Sequence, residues 1–284
     1  MELFHLLKHI FQIIGIVFVL MILIEYFDLK TRGKVRTWLE KGQSRQYLAS
    51  SLLGASPGCV GAFGAVMLYT HGFLSLGSIV AAMVATSGDG AFVMLAMFPR
   101  VAVGLFALLF IIGIFAGFAT DKISNKFGIE KCEGCRIKRH FDERGEKEKL
   151  TVKHFFKSHV YAHIVKQHLP KIVIWVAGGL FFIQLLNSLI GLESLLQGLP
   201  VVTLLIVAVI VGLIPGSSPN IPFVLLFSTG AIPFSVLLAN SIVQDGHGLF
   251  PLLSFTVRDS VIVKVFNAGF GFFCGLIVAI LLGW

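Results

Sequence analysis

The chain has 284 residues, 56% of them apolar and 13% charged, with a formal net charge of +8 and a mean hydropathy of +0.88. No water-soluble domain of this size hides that much apolar surface, so the composition excludes a soluble enzyme and predicts an integral membrane protein. The positive charge sits in two polar segments, which marks a cytoplasmic face rather than a nucleic-acid partner.

In chain order, His5 and Lys8 precede an apolar run that ends near Phe27. No small-residue cleavage site follows it, and Glu25 and Asp28 come next, so it reads as an uncleaved first span. Residues 29–46 carry Lys30, Arg32, Lys34, Arg36, Lys41 and Arg45 against the single acid Glu40. From Leu48 to Ala119 the only charges are Asp89 and Arg100, giving room for three full spans or for more shorter ones. Residues 121–171 form a long polar segment with 13 Lys/Arg against 7 Asp/Glu, and a second apolar block runs from about 172 to Trp284. The chain divides into a first membrane repeat (1–120), a basic linker (121–162) and a second membrane repeat (163–284).

The two blocks are the same text read twice. At an offset of 158, without a gap, 16 of the 64 positions 54–117 are identical in the second block. The matches concentrate on Gly, Pro and Arg: Gly54, Pro57, Gly58, Gly72, Gly88, Gly90 and Arg100 fall on Gly212, Pro215, Gly216, Gly230, Gly246, Gly248 and Arg258. Shared apolar composition would have matched aliphatics instead. The offset also sets His5-Leu6-Leu7-Lys8 against His163-Ile164-Val165-Lys166.

Charge then orients the copies. The first-half loop 29–46 holds six basic residues, whereas its counterpart 187–204 holds none and only Glu193. The positive-inside rule puts the first loop and the linker in the cytoplasm and the second loop outside, with both termini outside. The expected fold is an all-α polytopic membrane protein of two inverted-topology repeats, each with about four or five membrane segments and an odd number of crossings. That is a build of secondary transporters, with the substrate near the midplane where the repeats meet.

Pro57-Gly58 and Pro215-Gly216 predict helix breaks inside the membrane, because proline lacks the amide donor and glycine loosens the backbone. Gly88-Asp89-Gly90 and Gly246-His247-Gly248 predict a second break in each half. Backbone freed at that depth must be buried in protein or line a wet cavity. The bland alternative, glycine for close packing, fits Gly113-x-x-x-Gly117 and Gly271-x-x-x-Gly275. The polar residues beside the breaks are the candidate ion ligands: Asp89, Asp245, His247, Asn220, Asn240, Ser217 and Cys59. An aspartate at mid-membrane costs roughly 2.5–3.5 kcal/mol on insertion scales and needs a proton, a cation or a counter-ion, for which Arg100 is the plain structural choice. Oxygen-rich sets with one nitrogen suit Mn²⁺ and similar ions, and a soft ion would want several sulfurs. Cys274 reads as core, and Arg258, Asp259 and Lys264 as snorkelling or paired charges near span ends.

In the linker, Cys132-Glu-Gly-Cys135 followed by His140 is half of a zinc-type site, or a free reduced pair. Two intramembrane aspartates also invite comparison with aspartyl intramembrane proteases. Asp89 follows Thr86-Ser87-Gly88 and Asp245 follows Gln244, so the protease pattern is incomplete and remains a distant alternative. No phosphate-binding glycine motif with lysine is present, so the chain encodes no ATPase of its own.

Taken together, the duplicated Pro-Gly-Cys/Ser break, the Gly-Asp-Gly and Gly-His-Gly pair, the His-φ-φ-Lys starts and the Cys/His linker resemble the ten-transmembrane heavy-metal exporters. That family is also labelled arsenic efflux protein or manganese transporter and is similar to the ArsP permeases. The resemblance implies a transporter in the cell's inner membrane, not an enzyme, that exports a metal or metalloid. The expected cargo is a divalent ion, Mn²⁺ first, exchanged for protons, with no cofactor beyond Zn²⁺ at the linker. Trivalent arsenic or an organoarsenical carried on Cys59 is the alternative. A homodimer is an arrangement the sequence leaves open.

Overall fold

The computed structural model describes residues 42–129 and 199–282 throughout, and single positions between 7 and 39 and between 161 and 181. Much of the expected first span and of the basic 29–46 loop, and all of Glu193, Cys132, Cys135 and His140, lie outside the described residues. The first half contains α1 (Gln43–Ala55), α2 (Val60–Thr70), α3 (Leu76–Ala85), α4 (Gly90–Met97) and α5 (Pro99–Phe127). The second contains α6 (Val201–Gly212), a 3-10 turn at Ser218–Asn220, α7 (Ile221–Ser228) and α8 (Phe234–Val243). A second 3-10 turn at Gly246–Gly248, α9 (Leu249–Phe255) and α10 (Val257–Leu281) complete it. The starts of α1 and α6, of α3 and α8, and of α5 and α10 are each 158 residues apart.

Among the described residues, two helices are long and apolar enough to cross a bilayer. They are α5 and α10, of 29 and 25 residues, with mean hydropathies of 2.7 and 2.0. At about 1.5 Å per residue they span roughly 44 and 38 Å, more than the hydrocarbon core needs. The helices α1–α4 and α6–α9 reach only about half that depth, because each is bounded on at least one side by a break carrying a glycine or proline. Four glycines at these breaks have positive φ: Gly58 (86°), Gly88 (55°), Gly216 (103°) and Gly246 (53°). An L-residue is strained there, so the sequence spends glycine where the chain must turn.

Contacts fix the direction of each piece. Gln46 near the start of α1 accepts from the Ser75 amide at 2.8 Å, just before α3, and Gly54 near the end of α1 lies against Ala82 of α3. The helices α1 and α3 therefore run parallel, and α2 must return between them. A helical hairpin thus enters halfway and leaves on the side from which it came. The helix α5 runs the other way, with Gly113 against Ala81, Gly117 against Gly77 and Asp121 beside Ser75 and Gly77. About 21 Å of α5 extends past the level of Ala85, and α4 carries the chain out to where α5 begins. The second half repeats this plan: Asn240 of α8 donates to the Ala208 carbonyl of α6 at 3.0 Å, and Gly271 and Gly275 of α10 pack on Ala239. Every residue of α3 is buried, as are Ser235–Val243 of α8, so this pair forms the centre.

The halves meet head to tail. The Tyr69 hydroxyl at the end of α2 donates to Asp259 at the start of α10 (2.6 Å). On the opposite side, Phe227 at the end of α7 meets Phe98, at the start of α5, edge to face at 5.0 Å.

Candidate metal-ion site

All four breaks converge on one point. The Gly58 amide donates to the Gly88 carbonyl at 3.1 Å, and the Gly216 amide donates to the Gly246 carbonyl at 2.8 Å, so each half ties its two breaks together. The halves then touch through glycine itself. A Cβ on Gly88 would stand 3.0 Å from the Gly246 Cα, and a Cβ on Gly246 would stand 3.0 Å from the Gly88 Cα. A side chain at either position would force the two backbones apart.

Cys59 and Asp89 immediately precede α2 and α4, and Ser217 and His247 hold the equivalent places in the second half. Cys59 Sγ lies 3.4 Å from Asp89 Oδ1 and 3.4 Å from His247 Nδ1, and His247 Nδ1 lies 3.1 Å from Asp89 Oδ2. One sulfur, one nitrogen and one carboxylate oxygen thus all lie within 4.8 Å of one another. The His247 side chain is 3% exposed and stacks on Phe250, whereas that of Asp89 is 38% exposed, which gives the cluster one open side.

A family model described as "Putative, 10TM heavy-metal exporter" (ArsP_2) matches residues 5–173 and again 135–282, nearly the whole chain. The protein belongs to that family. It is accordingly a multi-pass helical membrane protein of a heavy-metal exporter family. No curated protein and no solved structure matches the chain.

The other residues expected at the exporter's site stand in different places. Asp245 points away from the cluster and is held by the Lys264 ammonium at 2.7 Å and the Asn267 amide at 2.6 Å. Lys264 is not at a span end. It is buried inside α10 and also donates to the Gly212 carbonyl (2.8 Å) and the Val243 carbonyl (3.0 Å), the last turns of α6 and α8. Asn240 donates to Asn220 (2.8 Å), which donates to the Gly216 carbonyl (2.9 Å), so the two amides support the break from beneath. Pro57 is exposed and Pro215 partly so, and Gly90 and Gly248 flank the cluster without contributing ligand atoms. Arg100 is exposed, and the cation-forming group set beside Asp89 is His247, at 3.1 Å.

Two residues visible in the sequence have structural roles that the sequence did not assign. Gln244 donates across the halves to the Thr86 carbonyl at 2.9 Å and accepts from the Gly246 amide at 3.0 Å. Lys264 is the other. Its signal was available in the repeat: Ser87, Phe106 and Leu109 become Asp245, Lys264 and Asn267 at the same offset, three polar gains at once.

Proposed function

We propose that this protein is a secondary exporter in which Cys59, Asp89 and His247 hold one divalent heavy-metal ion between two inverted-topology repeats. The carrying observation is the trio of donor atoms within 4.8 Å at the meeting of four broken helices. The opposed directions of the halves, read from Tyr69–Asp259 on one side and Phe98–Phe227 on the other, support alternating access around a fixed site. The unequal basic loops support a cytoplasmic linker and termini outside.

The ligand set favours a borderline to soft ion such as Zn²⁺ or Cd²⁺. One thiolate, one imidazole and one carboxylate match the mixtures that such ions accept, and trivalent arsenic would need further sulfurs. Asp245, counted among the oxygen donors that pointed to Mn²⁺, is engaged by Lys264. Manganese stands as the second reading because Asp89 is open enough to admit water oxygens.

The Cys59 S–H points toward the Asp89 carboxylate, and His247 Nδ1 lies 3.1 Å from it. A bound ion takes those positions, so at least the thiol proton must leave as metal enters. That exchange is the basis for proton-coupled antiport. The test is efflux of radiolabelled Zn²⁺, Cd²⁺ and Mn²⁺ from cells expressing Asp89→Asn, Cys59→Ser and His247→Gln. Each change should slow efflux at least about tenfold with protein levels unchanged. Normal efflux of all three ions by all three variants would remove the site.

A further inference from the structure

The four residues around the cluster are two repeat-equivalent pairs. At the offset of 158, Cys59 corresponds to Ser217 and Asp89 to His247. The structure preserves this correspondence in space. Cys59 Sγ lies 3.4 Å from the position a Cβ on Gly246 would take, and Ser217 Oγ lies 2.7 Å from the position a Cβ on Gly88 would take. Each side chain therefore reaches across to the glycine of the opposite half. Ser217 is buried, and its hydroxyl accepts from the Asp89 amide at 3.2 Å.

We infer that Ser217 is the fourth ligand position and sets which metal the exporter prefers, an inference that rests on the trio binding the ion. Three donors leave one position of a tetrahedral ion to fill. The hydroxyl that fills it stands where the local two-fold relation would place a second thiol. A hydroxyl is hard and a thiolate soft, so this one position tunes the site between oxygen-seeking and sulfur-seeking ions. The same geometry makes positions 59 and 217 interchangeable: a thiol delivered from Ser217's place approaches the ion from the two-fold-related direction. The space is already available, because Gly88 offers a side chain at 217 the absence of a Cβ that Gly246 offers Cys59.

The experiment uses the full-length protein in proteoliposomes, with Zn²⁺ and Cd²⁺ as the transported ions. Cys59→Ser alone should lower uptake of both at least about tenfold, and the exchanged variant Cys59→Ser/Ser217→Cys should recover to within about threefold of the parent. Ser217→Cys alone should shift preference toward Cd²⁺ at least about tenfold and strengthen the thiolate-to-Cd²⁺ charge-transfer absorption. If Cys59→Ser is harmless, the three-residue site itself fails. If Cys59→Ser is damaging, the exchanged variant reconstitutes normally, and yet transport and absorption stay low, the role of Ser217 alone is overturned. Ser217→Ala separates packing from ligation: unchanged ion preference and affinity there would also overturn it.

Discussion

The two halves share a backbone and differ in how its polar groups are satisfied. Positive-φ glycines recur in pairs, at 58 and 216, 72 and 230, and 88 and 246. In the second half the break is clamped by charge, with one ammonium joining Asp245 to the ends of α6 and α8. The first half has Ser87, Phe106 and Leu109 in those places, and the buried Ser87 hydroxyl has no hydrogen-bond partner. Its polar anchor lies elsewhere, at the start of α3, where Asp121 accepts from Tyr47 (2.8 Å), Ser75 (2.5 Å) and the Gly77 amide (2.7 Å). The counterparts of those four are Leu205, Pro233, Ser235 and Ala279. The lesson is a difference in exchangeability. A left-handed turn has one good residue, whereas a stranded carbonyl or carboxylate can be satisfied by several side chains placed differently.

The strongest test of that contrast removes the clamp. Lys264→Met leaves Asp245 buried without its counter-charge and should cost about 3–5 kcal/mol, read as a large fall in the melting temperature of the purified protein. Lys264→Met with Asp245→Leu should regain part of the loss, because no unpaired charge stays buried, although the Gly212 and Val243 carbonyls and the Asn267 amide still lose their partners. Phe106→Met, at the equivalent first-half place, should cost under about 1.5 kcal/mol. Equal losses at 264 and 106 would erase the difference between the halves.

Next in size is the glycine pair at the centre. Gly88→Ala imposes φ of +55° on a side chain and drives its Cβ to 2.7 Å from Ser217 Oγ and 3.0 Å from the Gly246 Cα. The left-handed conformation alone costs about 1–2 kcal/mol, and the contact forces the halves apart at the site. Metal efflux should fall at least about tenfold. Gly90→Ala, with nothing nearer than 4.0 Å, should export normally. A tolerated Gly88→Ala would contradict the close approach.

Much of this plan was legible in the sequence. The helical breaks, the duplication of their spacing and the packing role of Gly113, Gly117, Gly271 and Gly275 follow from residues whose backbone or size admits few alternatives. Cys59, Asp89 and His247 could be named as candidates because polar groups are conspicuous in an apolar chain. Which of the candidates come together was not legible. Asp89 and Asp245 look alike as intramembrane carboxylates, yet one faces Cys59 and His247 and the other faces Lys264. Asp245 falls at the place of Ser87, two residues before that of Asp89, and its partner Lys264 comes from α10, so the choice depends on which distant side chains the packing brings alongside. Asn220 and Asn240 were equally ambiguous, since an amide serves a freed carbonyl as readily as an ion.

The smallest expected effects lie at the two seams between the halves. Tyr69 and Phe227 occupy equivalent places, but Tyr69 donates to Asp259 where Phe227 meets Phe98. A hydrogen bond to a carboxylate is worth about 1.5–3 kcal/mol, and an edge-to-face ring pair about 0.5–1.5 kcal/mol. Tyr69→Phe should therefore loosen its seam more than Phe227→Leu loosens the other. If the seams close opposite sides of one path, each change should favour opening on its own side. The readout is the labelling rate of Cys59 by an impermeant thiol reagent, in protein whose other cysteines are serine. With the basic loops inside, Tyr69→Phe should speed labelling from the cytoplasm about tenfold, and Phe227→Leu should speed labelling from outside about threefold, as their free energies imply. Acceleration from the same side by both changes would show that the halves do not open alternately, and acceleration from the reversed sides would invert the assigned orientation.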